Sequence, residues 1–270
     1  MSLLFDTPVP GSVPAPDRLD GRTVVVLHAH PDDEAIFTGA TLRRLADRGA
    51  RVVLVTATAG ELGTPRTPLP RGADLASVRR REVEAAAEVL GVARLVLLGR
   101  RDSGLPGWAS TSHAKALVQA DLRGLGQTVA ALVESERAEA VVAYDADGIY
   151  GHPDHVAVHL IGRYAAALTG VTSYEATVDR EHLHFAGSHL LDDASGRRTY
   201  GRVTAEITTA VAATPRELEA KRTAMLAHAS QIGPEALDNG VFGETYELEW
   251  FVRRGAPALL ETLGNAHALV

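Results

Sequence analysis

The chain has 270 residues, 46% of them hydrophobic, enough to bury the core of one large domain or of a domain with a small appendage. Its 27 basic against 34 acidic side chains give a formal charge of −7 with no dense basic block, which argues against nucleic acid or an anionic membrane as partner. There is no cysteine, so disulfides and thiolate metal sites are excluded.

Residues 1–20 carry Asp6 and several prolines without a basic n-region or a long apolar h-region, and read as an irregular lead-in rather than a signal peptide. No stretch approaches the roughly 18–20 uncharged apolar residues of a membrane span, so a cytoplasmic protein without stable membrane insertion is expected. From 21 to 270 no linker is clear enough to divide the chain, and one α/β domain is predicted, with a divergent part after about 175.

Strands are predicted at 23–27, 52–56, 95–98, 140–144 and 171–175, the first four being apolar runs rich in Val and Leu with little polar alternation, as in parallel strands covered on both faces. Helical patterns over 34–48, 76–90, 125–137 and 155–167 separate them, with Gly49 and Gly91 terminating two. The alternation predicts right-handed βαβ units in a Rossmann-like fold: a mostly parallel sheet with helices on both faces and the active site at the carboxyl ends of the strands. The Gly- and Pro-rich loops 58–73 and 101–111 both follow predicted strands and so lie at that rim. Beyond 175 the periodicity weakens, although a helix over 215–229 is readable, with Thr214 as N-cap and Pro215 at its first position.

The first strand runs into His30-Pro31-Asp32-Asp33-Glu34, one imidazole and three carboxylic acids where a buried strand opens into a helix. Desolvated carboxylates need a cation, so the placement itself points to chemistry. A second cluster, His152-Pro153-Asp154-His155, follows the fourth predicted strand. Together they offer neutral nitrogens and carboxylates of the kind that bind zinc, which in hydrolases keeps three protein ligands and a position for water. The alternative for the first cluster is helix capping, with Asp32 and Asp33 facing the helix dipole.

Val26-Leu27-His28-Ala29-His30-Pro31-Asp32-Asp33-Glu34 together with Tyr150-Gly151-His152-Pro153-Asp154-His155 resembles the zinc-dependent de-N-acetylases of the PIG-L/LmbE family. Thr58-Ala59-Gly60-Glu61-Leu62-Gly63, then Arg79 and Glu82, and Arg101-Asp102-Ser103-Gly104 extend the match; Lys221 with His228-Ala229-Ser230-Gln231 is a weaker one. The resemblance implies His30, Asp33 and His155 as ligands of one Zn2+, with another divalent metal as alternative occupant. It implies Asp32 as the general base that takes a proton from the attacking water. His152 is implied beside the carbonyl oxygen, stabilising the oxyanion if protonated. Asp154 either holds that imidazole charged and oriented or caps the helix.

Arg79 resembles an arginine contacting sugar or phosphate, against a solvated face in Arg79-Arg80-Arg81. Asp102 resembles a hydroxyl-binding carboxylate, against a turn-stabilising one. Tyr150 reaches the carbonyl or packs before the glycine turn, and Trp108 stacks on a sugar or aglycone or anchors its loop. Glu34 caps or supports the first helix, His28 packs in the core or supports the site, and His228 supports it from behind. His113, His159, His182, His184 and His189 stay outside the ligand set.

The activity implied is hydrolysis of the N-acetyl amide of an N-acetylglucosaminyl conjugate, releasing acetate and a free amino sugar. A glycopeptide-antibiotic pseudoaglycone is the favoured substrate, with a mycothiol-type GlcNAc-inositol deacetylase or conjugate amidase as the alternative. A non-catalytic metal- or sugar-binding protein is the alternative of a different class. A nucleotide-binding module is disfavoured, because no Gly-x-Gly-x-x-Gly turn or Walker A loop follows the first strand.

Overall fold

A computed structural model describes residues 18–186, 189–190, 200–238 and 240–263; most of the expected lead-in over 1–20 lies outside them. Five strands run parallel in the order β3-β2-β1-β4-β5: β1 (Thr23–His28), β2 (Arg51–Thr58), β3 (Arg94–Arg100), β4 (Ala140–Tyr144) and β5 (Thr172–Thr177). The helices between them are α1 (Asp33–Asp47), α2 (Leu75–Leu90), α3 (Leu122–Glu136) and α4 (Pro153–Thr169).

Alternating residues of β1 feed two separate layers, as a period-two strand requires. Val24 and Val26 pack with Leu42 and Leu45 of α1 and Val83 and Leu90 of α2. Val25 and Leu27 pack on the other face with Val129 and Val133 of α3 and Val158 and Ile161 of α4. The expected doubly wound sheet is therefore present, and the α2 boundary is sharp for a local reason. Gly91 caps the helix at φ 74°, where an added Cβ would stand 2.7 Å from Ala46 Cβ.

Two further strands, not foreseen from the sequence, continue the sheet beyond β5. β7 (Leu248–Arg254) pairs antiparallel with β5, and β6 (Thr209–Ala212) pairs antiparallel with β7. Between them α5 (Pro215–Ala227) starts with Pro in its first turn and a reciprocal cap, Thr214 N donating to Glu217 Oε2 at 2.8 Å. It ends two residues earlier than expected, releasing His228 from the helix. Glu249 ties β7 to α1 by accepting from Ala40 N and Thr41 N at 2.9 and 2.8 Å, while Lys221 Nζ donates to it at 2.8 Å.

The chain order moves outward to one side from β1 and to the other from β4, so a crevice opens at their carboxyl ends. Both histidine clusters sit there. Among the described residues no helix is long and apolar enough to cross a membrane.

Candidate active site

β1 stops at His28, and the chain turns through 29–32 before α1 begins at Asp33. Asp32 holds φ at 115°, a left-handed backbone that costs a non-glycine residue of order 1–3 kcal/mol. Its carboxylate makes no capping bond, so the capping reading is not how this acid is used. Instead Glu34 Oε2 accepts from Asp32 N at 3.0 Å, and His228 Nε2 donates to Glu34 Oε1 at 2.6 Å, both side chains fully buried. Burial opposes charge on each, but their mutual attraction holds His228 above and Glu34 below the usual range. Glu34 thus fixes the strained turn, and His228 holds Glu34 from behind.

At the second cluster, Ile149 (φ 64°) shapes the turn Gly148–Gly151, and Gly148 (φ 60°) lies so close to His155 that a Cβ would stand 2.6 Å from its Cβ. His152 then caps α4, its Nδ1 accepting from Asp154 N at 3.1 Å. That bond assigns the ring's proton to Nε2 in the neutral tautomer. His155 is buried and stacked on Tyr144, ring centroids 4.1 Å apart at 8°. Tyr144 Oη accepts from Ala29 N at 2.9 Å and lies 3.1 Å from His28 Nδ1, while His28 Nε2 lies 2.9 Å from Thr38 Oγ1. Both nitrogens of His28 are therefore engaged, and burial pushes its pKa down to about 4, which fits its place among the supporting residues.

The two clusters meet. The ligand nitrogens of His30, His152 and His155 lie within 4.8 Å of one another. Asp33 bridges two of them, Oδ2 at 3.4 Å from His30 Nδ1 and Oδ1 at 3.4 Å from His155 Nε2, and its Oδ2 also accepts from His30 N at 2.8 Å. Neither ring nitrogen of His155 has a hydrogen-bond partner although the side chain is fully buried. A buried imidazole with idle nitrogens facing a carboxylate fits a site completed by a cation. Asp33 stays well below the usual carboxylate range, burial being outweighed by His155 and His30.

Two expected roles, those of Asp154 and Arg79, are corrected, and the protonation on which the His152 expectation was conditioned is not met. Asp154 does not orient His152 with its carboxylate, nor does it cap the helix; Oδ2 lies 3.3 Å from His30 Nε2 and accepts from Ser103 N at 2.9 Å. His152 stands just outside the helix on extended backbone (φ −62°, ψ 132°), and the Asp154 carboxylate is taken up instead by Ser103 and His30. His152 itself is not held protonated, because burial first, then the neighbouring His30 and His155, push it down to about 2. Arg79 is neither a solvated face nor a free substrate contact. It is buried, donating from Nη1 to Gly60 O at 2.7 Å and from Nη2 to Pro31 O and to Asp32 Oδ2, the last at 2.9 Å. Burial raises Asp32 to about 6 against the pull of Arg79.

Asp102 serves its own turn, accepting from Gly104 N at 2.7 Å and Leu62 N at 3.2 Å, with Oδ1 3.8 Å from His30 Nε2. It nevertheless lines, with Arg79, Tyr150 and Trp108, a cavity of about 400 Å³ above His30, Asp32 and Asp33. The Tyr150 ring lies 4.9 Å from that of His155, and Trp108 stands 44% exposed at the mouth beside Leu105. His159 bonds to Tyr144 O and His182 to Glu244 O, and His189 packs against Phe37 and Tyr246; none joins the cluster. Sequence reasoning missed Tyr144, whose place at the end of β4 was its only signal.

The sequence model of the family described as PIG-L, GlcNAc-PI de-N-acetylase, matches residues 25–166. A 1D-myo-inositol 2-acetamido-2-deoxy-alpha-D-glucopyranoside deacetylase of Thermobifida fusca (strain YX) is 33% identical over 271 residues, covering 88% of this chain and 95% of its own. Among solved structures, N,N'-diacetylchitobiose deacetylase from Pyrococcus horikoshii superposes with a TM-score of 0.58 at 22% identity, covering 86% of this chain and 84% of its own. A deacetylase from the biosynthesis pathway of teicoplanin gives 0.58 at 21% identity, covering 87% and 100%. At such identities the two structures establish a shared fold. The family model spans more than half of the chain and the Thermobifida relative nearly all of its own length, so this chain belongs to the PIG-L de-N-acetylase family.

Proposed function

We propose that the chain hydrolyses the N-acetyl amide of an N-acetylglucosaminyl conjugate, releasing acetate and the free amino sugar. The observation that carries this reading is the convergence of His30, Asp33 and His155 next to an Asp32 gripped by Arg79. His30, Asp33 and His155 would hold a zinc ion; their nitrogen and carboxylate donors suit it or a similar divalent metal. When bound, that ion lowers the pKa of a water and polarises the acetyl carbonyl.

The rest falls to the chain's own groups. Asp32, poised near neutrality and oriented by Arg79, takes the proton of the attacking water and returns it to the departing amine. His152 offers its neutral Nε2–H to the carbonyl oxygen as negative charge develops there. Asp154 orients His30, and Asp102, Tyr150 and Trp108 stand where the sugar and its aglycone enter.

The Thermobifida relative makes the GlcNAc-inositol conjugate the first substrate to try. A second reading, a conjugate with a large apolar aglycone such as a glycopeptide pseudoaglycone, is favoured by Trp108 (44% exposed) and Leu105 (40% exposed) at the mouth. An acetate-release panel with GlcNAc-inositol, free GlcNAc and a glycopeptide pseudoaglycone, with and without chelator, tests both. Chelator-sensitive release from one conjugate is expected. Metal-loaded protein that releases acetate from none would replace the reading with a non-catalytic binding protein.

A further inference from the structure

A second cavity, of about 440 Å³, shares a wall with the first. Along segment 58–64, Thr58, Ala59 and Glu61 line the second cavity, whereas Leu62, Gly63 and Thr64 line the first. The same division separates Arg80 from Arg79 and Arg101 from Asp102. Four cations, Arg80, Arg100, Arg101 and Lys115, surround this space with His113, against the single carboxylate of Glu61.

Many arginines of this acidic chain are ion-paired: Arg79 with Asp32, Arg22 with Glu139, Arg51 and Arg94 with Glu136. Among the described residues none of the four cavity cations has an ion-pair partner. The Nε atoms of Arg100 and Arg101 are buried without an acceptor, and so is Glu61 Oε2 without a donor, its Oε1 being taken by Asp102 N at 3.2 Å. A solvated basic face would not bury guanidinium nitrogens unbonded, because each such group forfeits a hydrogen bond to water.

We propose that this cavity binds a phosphoryl group. A tetrahedral dianion offers several acceptor oxygens to donors arriving from different sides, and it matches a surplus of positive charge that one carboxylate cannot. The volume leaves room for a small molecule attached to the phosphate. The inference goes beyond the deacetylase reading and does not depend on it.

The test is calorimetric titration of the metal-loaded, full-length chain with inorganic phosphate and with glucose 6-phosphate, chloride keeping the ionic strength constant. One saturable site per chain is expected, with Kd weakened about tenfold or more in Arg80→Gln/Lys115→Gln. Both side chains are exposed, so the fold is spared. Tighter binding of the sugar phosphate identifies an organic ligand, and tighter binding of inorganic phosphate identifies the free ion. No saturable binding overturns the proposal. So does an affinity unchanged in the double variant, which would locate the anion at the metal instead.

Discussion

At the carboxyl ends of β1 and β4, buried imidazoles and carboxylates meet with atoms to spare, whereas beside β7 the buried charges close on one another. His155 has both ring nitrogens idle and Asp154 one oxygen idle. Lys221, by contrast, is spent on Glu249, which also takes two backbone N–H groups of α1, and Arg44 Nε donates to Glu217 Oε1 at 2.9 Å. Both regions bury ionisable groups, so burial of charge alone does not mark a functional site. The mark is incomplete satisfaction: a closed pair holds elements together, and an open cluster awaits a metal and a substrate.

The comparison breaks most visibly if the open cluster is emptied. His155→Ala is expected to abolish stoichiometric zinc binding and to lower acetate release by about 10⁴-fold or more, since ion and nucleophile are lost together. Elemental analysis of the purified variant is the check, and full zinc retention would remove His155 from the ligand set. Asp32→Asn should keep the metal and lose about 10² to 10⁴ in kcat. A variant near wild type would transfer the base's role to another group.

His228 joins the two regions, and its effect should be intermediate. His228→Gln removes the positive charge behind Glu34 without touching the cluster, and a loss of about 10- to 100-fold in kcat with zinc retained is expected. The pH dependence of stability gives a second readout. His228 is held above its ordinary 6.5, so its contribution is full below that pH and is lost as pH rises through the folded value. Glu34 is held below its ordinary 4.5, so its share is full above that pH and is lost as pH falls through the folded value. Denaturant midpoints across pH should therefore decline on the alkaline side in the wild type and flatten there in His228→Gln.

Much of the open region was legible in the sequence because short-range rules govern it. Strands β1 to β4 hold apolar runs, and His30, Asp33, His152 and His155 stand close in sequence to two strand ends. Asp154 was misread because its carboxylate answers to Ser103 and His30, which only folding brings near. For Arg79 the signal was present: Leu75, Arg79 and Val83 recur every four residues and share the buried face of α2. The closed region was less legible. β6 has four residues, and in β7 the strand-forming run Trp250-Phe251-Val252 is short and flanked by Glu249, Arg253 and Arg254, whose partners only the fold supplies.

Lys221→Met sharpens the contrast with the smallest expected effect on turnover and a large one on stability. Lys221 and Glu249 are each about 1% exposed at the side chain, so removing the ammonium leaves a buried carboxylate with two backbone donors and no counter-charge. Breaking one partner of such a pair costs about 3–5 kcal/mol, and replacing both by neutral groups costs much less. Urea unfolding should accordingly show the double variant Lys221→Met/Glu249→Gln recovering most of what Lys221→Met loses. Zinc content and kcat per folded molecule should match the wild type in both. If Lys221→Met instead stayed folded but lost zinc or turnover, the closed pair would belong to the chemistry, because α1 carries Asp33 at one end and Ala40 and Thr41 within it, and a shift of that helix would be felt at the metal.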